Sequence, residues 1–208
     1  MNKIIFLGKS ENFLNIFLKK YHKNPYYVVP WRDLRNNSET MLNELRNPKV
    51  IIICGYNYCS SHINYEEYIK SNINQPIQFL KKIKTDKTKV FYINTDYDDR
   101  KKYTFSRYLY AKNLLSNYLL KNCKNLKIIR IPTLADNEGK LLIYGNKLTK
   151  FLFNFAKSLG IIKTITIEQF EALIDHKDEP KNICLMEPIG LRIGRPLLID
   201  RALRIIFG

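Results

Sequence analysis

The sequence predicts an α/β protein built on a doubly wound parallel sheet with a small C-terminal cap. Short runs apolar on both faces, such as Ile4-Ile5-Phe6-Leu7, Val50-Ile51-Ile52-Ile53 and Val90-Phe91-Tyr92-Ile93, recur along the first two thirds of the chain. Only strands buried from both sides read this way. Between them lie stretches whose apolar residues recur at helical spacing, so helices cover the sheet on each side. Right-handed crossovers then bring the carboxyl ends of the strands to one edge, where ligands bind in such folds.

In chain order, Lys3 to Leu7 is a strand closed by the turn residue Gly8. Ser10 or Asn12 caps a helix whose apolar face is Phe13, Leu14, Ile16, Phe17 and Leu18. Tyr26 to Val29 is the next strand and leads into Pro30-Trp31-Arg32-Asp33. A helix from Glu39 to Arg46 precedes the strand Val50 to Gly55. After a polar loop come one long helix, Glu66 to Ile83, and the strand Val90 to Asn94. The helix carrying Tyr108 and Lys112 follows, then the strand Lys127 to Ile131, stopped by Pro132. Beyond Asp136 the rhythm loosens into Leu148 to Leu159, Ile165 to Asp175, a short strand Asn182 to Met186 and a tail, Pro196 to Phe207.

Composition narrows the function classes. At 208 residues and 45% hydrophobic content the chain suits one good-sized core. No apolar run approaches a membrane span, and Met1 to Gly8 is too short for a signal peptide, so the cytoplasm is expected. Cys54, Cys59, Cys123 and Cys184 are scattered and His22, His62 and His176 are unpaired, which reads as thiols in or near the core with no metal site. A net charge of +16 suits an anionic partner. The lysines are spread along the chain without a dense basic cluster, which argues against nucleic acid; a phosphorylated substrate, an anionic membrane surface, or a bias toward Lys, Asn and Ile that carries no function stay open. The tail sets Asp200, Arg201 and Arg204 against large aliphatics; such a helix docks on the body or on a second copy, giving a homodimer, or lies on an anionic membrane surface.

The chemistry-bearing residues cluster between two elements. Tyr108 and Lys112, at helical i,i+4 spacing, share one helix face. A lysine beside a phenol favours the phenolate and makes it a general acid/base near neutral pH. Thr95 closes the preceding strand, at the edge where its hydroxyl can hydrogen-bond a substrate oxygen. A similar pair, Tyr97 and Lys101, lies in a polar run and carries no such context. The bland alternative is a tyrosine packed on the sheet beside a solvated lysine.

With these residues in place, the chain resembles the extended short-chain dehydrogenase/reductase family, specifically its nucleotide-sugar epimerases, dehydratases and reductases. Lys3 to Gly8 is similar to the family's first strand and dinucleotide-binding glycine, Val50 to Gly55 to the strand ending beside the cofactor, and Asn72 to its structural asparagine. Val90 to Thr95 resembles the strand that delivers the catalytic Ser/Thr, Tyr108 to Lys112 the active-site helix, and Arg130-Ile131-Pro132 the turn flanking the nicotinamide.

The resemblance implies a Rossmann-like NAD(P)-binding domain over 1–135 and a reduced substrate-binding cap with the amphipathic helix over 136–208, together one compact unit. It implies NAD or NADP held by Gly8, Ser10, Asn12, Phe13, Arg32, Cys54, Gly55, Asn72, Lys112 and Pro132. Arg32 favours the 2′-phosphate of NADP and Asp33 a ribose hydroxyl. Thr95, Tyr108 and Lys112 become the catalytic set, acting on a nucleotide-linked sugar in surface polysaccharide synthesis. Three departures stand against it: Glu11 occupies the place of the second glycine of the phosphate turn, the Thr95–Tyr108 segment and the cap are short, and the acidic pair Asp98 and Asp99 that follows Thr95 could hold Arg100, Lys101 or Lys102 in surface salt bridges. The altered turn and the short cap support the alternative of a catalytically degenerate relative serving as a binding or regulatory partner.

Overall fold

The computed structural model describes residues 3–35, 38–57, 64–96, 102–104, 106–142, 147–160, 162–176 and 185–188. Strand β1 (Ile4–Leu7) is wholly buried, and Gly8, at φ +108°, turns the chain into helix α1 (Glu11–Tyr21). β2 (Tyr26–Val29) runs into a short 3₁₀ helix, Trp31–Arg35, and then α2 (Glu39–Leu45), whose first turn is capped by the Ser38 hydroxyl accepting from the Met41 N–H. β3 (Val50–Ile53) follows, fully buried.

The single helix expected over Glu66 to Ile83 is interrupted. It forms as α3 (Tyr65–Ile69), a π-helical turn (Lys70–Asn74) and α4 (Gln75–Ile83). Pro76 has no N–H to give the Asn72 carbonyl, so the ladder widens just before it. Next come β4 (Lys89–Thr95), the two-residue β5 (Tyr103–Thr104) and α5 (Arg107–Asn122). The Ser106 hydroxyl caps α5 by accepting from the Leu109 N–H. β6 (Leu126–Ile131) and β7 (Thr133–Ala135) flank Pro132, and α6 (Lys147–Ser158) follows. The expected 165–175 element divides into β8 (Thr164–Thr166) and α7 (Ile167–Asp175), which a Thr166/Gln169 capping box starts. Of the strand expected over 182–186, residues 182–184 lie outside the described residues; the extended pair is β9 (Glu187–Pro188). The amphipathic tail, Pro196 to Phe207, also lies outside them.

The main sheet has the order β2-β1-β3-β4-β6 and every pairing is parallel. From β1 the chain first steps outward to β2, then crosses back to β3 on the opposite side. The topological switch therefore lies between the carboxyl ends of β1 and β3. This is a doubly wound, Rossmann-like sheet. Its strands alternate two apolar faces: Ile5, Leu7, Ile51, Ile53 and Tyr92 pack with Leu42, Phe79, Leu80 and Leu119 of α2, α4 and α5. Ile4, Phe6, Ile52, Phe91 and Ile93 pack with Ile16 and Phe17 of α1 and with Phe170 and Ile174 of α7.

Residues beyond 136 thus complete one face of the sheet. The Phe170 ring lies 5.3 Å from that of Phe13 and 6.2 Å from that of Phe17. The buried start of β6 contributes too, for the Lys127 ammonium donates to the Ile174 and His176 carbonyls at the end of α7. Two small parallel pairs, β5 with β9 and β7 with β8, decorate the sheet's carboxyl edge. Among the described residues no helix is long and apolar enough to cross a membrane, and no group of His, Cys, Asp or Glu is placed to hold a metal.

Because Phe170 is fully buried in that shared cluster, Phe170→Ala should cost about 3–5 kcal/mol of unfolding free energy. Urea denaturation checks this; a loss below about 1 kcal/mol would make α7 an accessory to the sheet instead of part of its core.

Candidate functional site

The switch point is built on a contact between two backbones. A Cβ placed on Gly8 would lie 2.4 Å from the Gly55 Cα and N, so the first strand's turn rests directly on the end of β3. The Leu7 carbonyl accepts from both the Cys54 and Gly55 N–H groups at 2.9 Å, and the Gly8 N–H donates to the Val29 carbonyl. On its other side Gly55 faces the indole of Trp31: a Cβ there would meet Trp31 Cε3 at 2.3 Å. Trp31 is 7% exposed and belongs to the α2/α4 core cluster. Its buried Nε1 finds no hydrogen-bond partner among the described residues.

Around this point the sequence-predicted residues fall as follows. Ser10 stands at the N-cap of α1 and makes no side-chain cap bond, which leaves the first-turn N–H groups without a side-chain acceptor. Asn12 turns its amide to the Leu142 carbonyl at 3.4 Å, and Phe13 packs into the α1/α7 cluster. Those two side chains serve the packing of the later elements; what they offer an anion is backbone. Glu11 is exposed in the first turn. Arg32 projects into solvent, its side chain 83% exposed, with Nε 3.9 Å from the Asp33 carboxylate. Pro132 sits half-buried between β6 and β7.

Asn72, 1% exposed, occupies the π-helical turn and clamps the loop after β3. Its Oδ1 accepts from the Asn57 N–H at 2.8 Å and its Nδ2 donates to the Asn57 and Tyr68 carbonyls at 3.4 Å. The widened turn and the amide together hold the Gly55-Tyr56-Asn57 segment against the helix.

That segment delivers Tyr56 to Tyr108, the two rings meeting edge to face at 4.8 Å. Lys112, one turn on in α5, is 5% exposed. Its ammonium donates to the Ile93 carbonyl at 3.2 Å and lies 5.1 Å from the Tyr92 ring and 5.8 Å from the Tyr108 ring. Among the described residues it forms no ion pair. Thr95 ends β4, its N–H held by the Asn94 side chain, which is itself fixed by Ser116. Sequence reasoning brought Tyr108 and Lys112 together, and the structure sets them on one face of α5. It missed Trp31, Tyr56 and the buried Arg107, whose guanidinium lies 5.3 Å from the Tyr68 ring. The one signal for Trp31 was its uniqueness in the chain, directly after β2.

Burial controls the ionisation here. It lowers the Lys112 ammonium from the usual 10.5 to about 8, an effect that only a thiolate at nearby Cys54 would oppose. Burial pushes the Cys54 thiol up to about 12, with Lys112 and backbone N–H groups opposing. Its sulfur lies 3.7 Å from the Leu7 and Gly8 carbonyls, so Cys54 is a neutral, inert thiol at neutral pH. Lys112 keeps its proton there, poised near the point of losing it.

A dinucleotide fits much of this geometry. The left-handed turn at Gly8, the helix start without a side-chain cap and the lysine beside a tyrosine are the groups that would hold a pyrophosphate and a ribose. Trp31 and Glu11 are the residues that crowd it.

No family model and no curated protein matches the sequence. Solved structures do share the fold. A dTDP-glucose 4,6-dehydratase from Bacillus anthracis, in complex with NAD, matches over 94% of this chain and 73% of its own at 14% identity and TM-score 0.51. A GalE-like L-threonine dehydrogenase from Cupriavidus necator, in its holo form, matches over 90% and 77% at 8% identity and TM-score 0.54. Against a short-chain dehydrogenase/reductase superfamily protein from Agrobacterium tumefaciens with bound NAD, this chain spans half the length, at 9% identity over 64% of itself and TM-score 0.46. The chain shares the doubly wound fold of the dehydratase and the threonine dehydrogenase.

A buried lysine without an ion pair sets a pH dependence with a definite sign. The folded chain releases the Lys112 proton near pH 8 and the unfolded chain only near 10.5, so stability rises with pH across that window. Lys112→Met should therefore stabilise the protein at pH 7 by about 1–3 kcal/mol, the gain fading toward pH 10.5. Urea midpoints measured from pH 7 to 10.5 decide it. A variant less stable than the parent at pH 7 would mean that the Ile93 bond and the two rings outweigh desolvation.

Proposed function

We propose that the chain is an NAD(P)-dependent enzyme of the epimerase, dehydratase or reductase type, acting on a nucleotide-linked sugar in surface polysaccharide synthesis. The observation that carries this reading is the Lys112 ammonium, buried at the carboxyl edge of the sheet, 5.8 Å from the Tyr108 ring. A charge kept there at a cost in stability, beside a phenol, has the character of a functional group. A dehydratase of a dTDP-sugar with bound NAD supports the substrate class and the cofactor at the level of fold.

In this reading Tyr108 moves a proton to or from the sugar oxygen, and Lys112 favours its phenolate and holds the nicotinamide ribose. Thr95 donates a hydrogen bond to the same sugar oxygen, its strand end stiffened through Asn94 and Ser116. Tyr56 fixes the plane of the Tyr108 ring. Ser10 and the first turn of α1, with the backbone of Gly8, receive the pyrophosphate. A bound nicotinamide supplies the hydride acceptor and donor. The exposed Arg32 beside Asp33 leaves NAD and NADP both open, and the net charge of +16 draws a diphosphate-bearing substrate to the site.

A second reading, a non-catalytic relative that binds a partner, is favoured by the indole packed on Gly55 and by Glu11 in the phosphate turn. Calorimetry with NAD and NADP, followed by turnover of nucleotide sugars, separates the two. Tyr108→Phe should lower turnover by about 10²–10⁴-fold with dinucleotide binding and circular dichroism unchanged. Absence of heat from the wild-type protein with either dinucleotide would remove the enzyme reading.

A further inference from the structure

Trp31 has a position that the catalytic account does not use. In doubly wound folds the residue that meets the cofactor's ribose stands about 20 residues beyond the glycine turn, at the end of the second strand. Trp31 holds that place here, two residues after β2 ends at Val29. An indole has neither the carboxylate nor the cation such a ribose contact uses. It lies across Gly55, one wall of the switch-point crevice, so tightly that a single methyl at that position would collide with it.

Two further observations bear on what the indole does. Its Nε1 is buried without a partner among the described residues, so within them the N–H loses water and gains no acceptor, which disfavours the closed position. Its neighbour Arg32 stands in solvent and Asp33 is half-exposed, so the described side chains that anchor this 3₁₀ turn are Leu34, which is fully buried, and the indole itself. The sheet is also short on this side. Among the described residues only β2 lies beyond β1, whereas dinucleotide folds of the usual order carry a third strand there. The indole thus closes a half of the crevice that little else builds.

We infer that Trp31 is a gate on the ribose side of the crevice: it must leave Gly55 before a dinucleotide can seat, and its N–H then finds an acceptor in the ligand or in water. This rests on the dinucleotide reading above. The closed state taxes affinity by the fraction of time the gate is open, so removing the indole raises affinity without adding a contact.

The test uses the full chain, with NAD and NADP as probes. Trp31→Ala should bind a dinucleotide at least about tenfold more tightly than wild type in calorimetry. Trp31→Leu, which keeps apolar volume in the core cluster, should do the same if the alanine variant fails to fold. Trp31 is the chain's single tryptophan, so wild-type emission should move to the red as a saturating dinucleotide draws the indole into water. Equal or weaker binding by the folded variants would overturn the gate and leave the dinucleotide reading standing, as would a saturated wild type with unchanged emission. Folded wild-type and variant proteins that bind neither dinucleotide would overturn the dinucleotide reading, and the gate with it.

Discussion

The contact between Gly8 and Gly55 is the constraint on which the rest of the carboxyl edge depends. Side chains at either position would force β1 and β3 apart at their ends, and the Leu7 carbonyl could no longer accept from two successive N–H groups. The close approach fixes where the chain leaves β3. It thereby places Cys54 against the Leu7 and Gly8 carbonyls, Gly55 under the indole and Tyr56 against Tyr108. Asn72 secures the same segment from the other end through Asn57. One backbone contact and one buried amide hence define the wall of the site between them.

Lys112 marks the opposite wall and behaves differently, because it strains the fold rather than anchoring it. The desolvation of an ammonium in this core is opposed by one carbonyl bond and two ring faces, weaker company than a carboxylate would be. A methionine would fill the same volume without that cost. The carboxyl edge thus sets rigid glycines on one side against a buried charge on the other. A second buried lysine, Lys127, stands at the amino end of β6, where its ammonium meets the carbonyls that end α7.

Much of the architecture was legible because burial on both sheet faces writes itself into unbroken apolar runs. Val50 to Ile53 and Val90 to Ile93 could belong only to inner parallel strands, and they do. The spacing of Tyr108 and Lys112 was legible for a similar reason, since a helix converts four residues into one face. What was not legible required knowledge of neighbours distant in the chain. Nothing local says that Trp31 will bury itself, for the space it fills exists because residue 55 lacks a side chain. Asn12 and Phe13 looked like parts of a phosphate turn, yet their side chains meet Leu142 and Phe170, more than a hundred residues away. Pro76 did carry a local signal, the missing donor that widens the helix at Asn72, but helical periodicity around it masked the break.

The strand order bears on the size of ligand that this edge can hold. A crevice at a switch point is bounded by the two strand ends that diverge there, and its reach on either side follows from how many strands continue the sheet. On the β3 side, β4 and β6 continue it and bring Thr95, Tyr108 and Lys112 into range. On the β1 side the last strand among the described residues is β2, followed in the chain by the 3₁₀ turn with Trp31 turned inward and Arg32 turned outward. Among the described residues the β3 side thus carries Thr95, Tyr108 and Lys112, while the β1 side carries the indole laid over Gly55. On the proposed reading, the affinity for a dinucleotide depends on the side chain that covers Gly55.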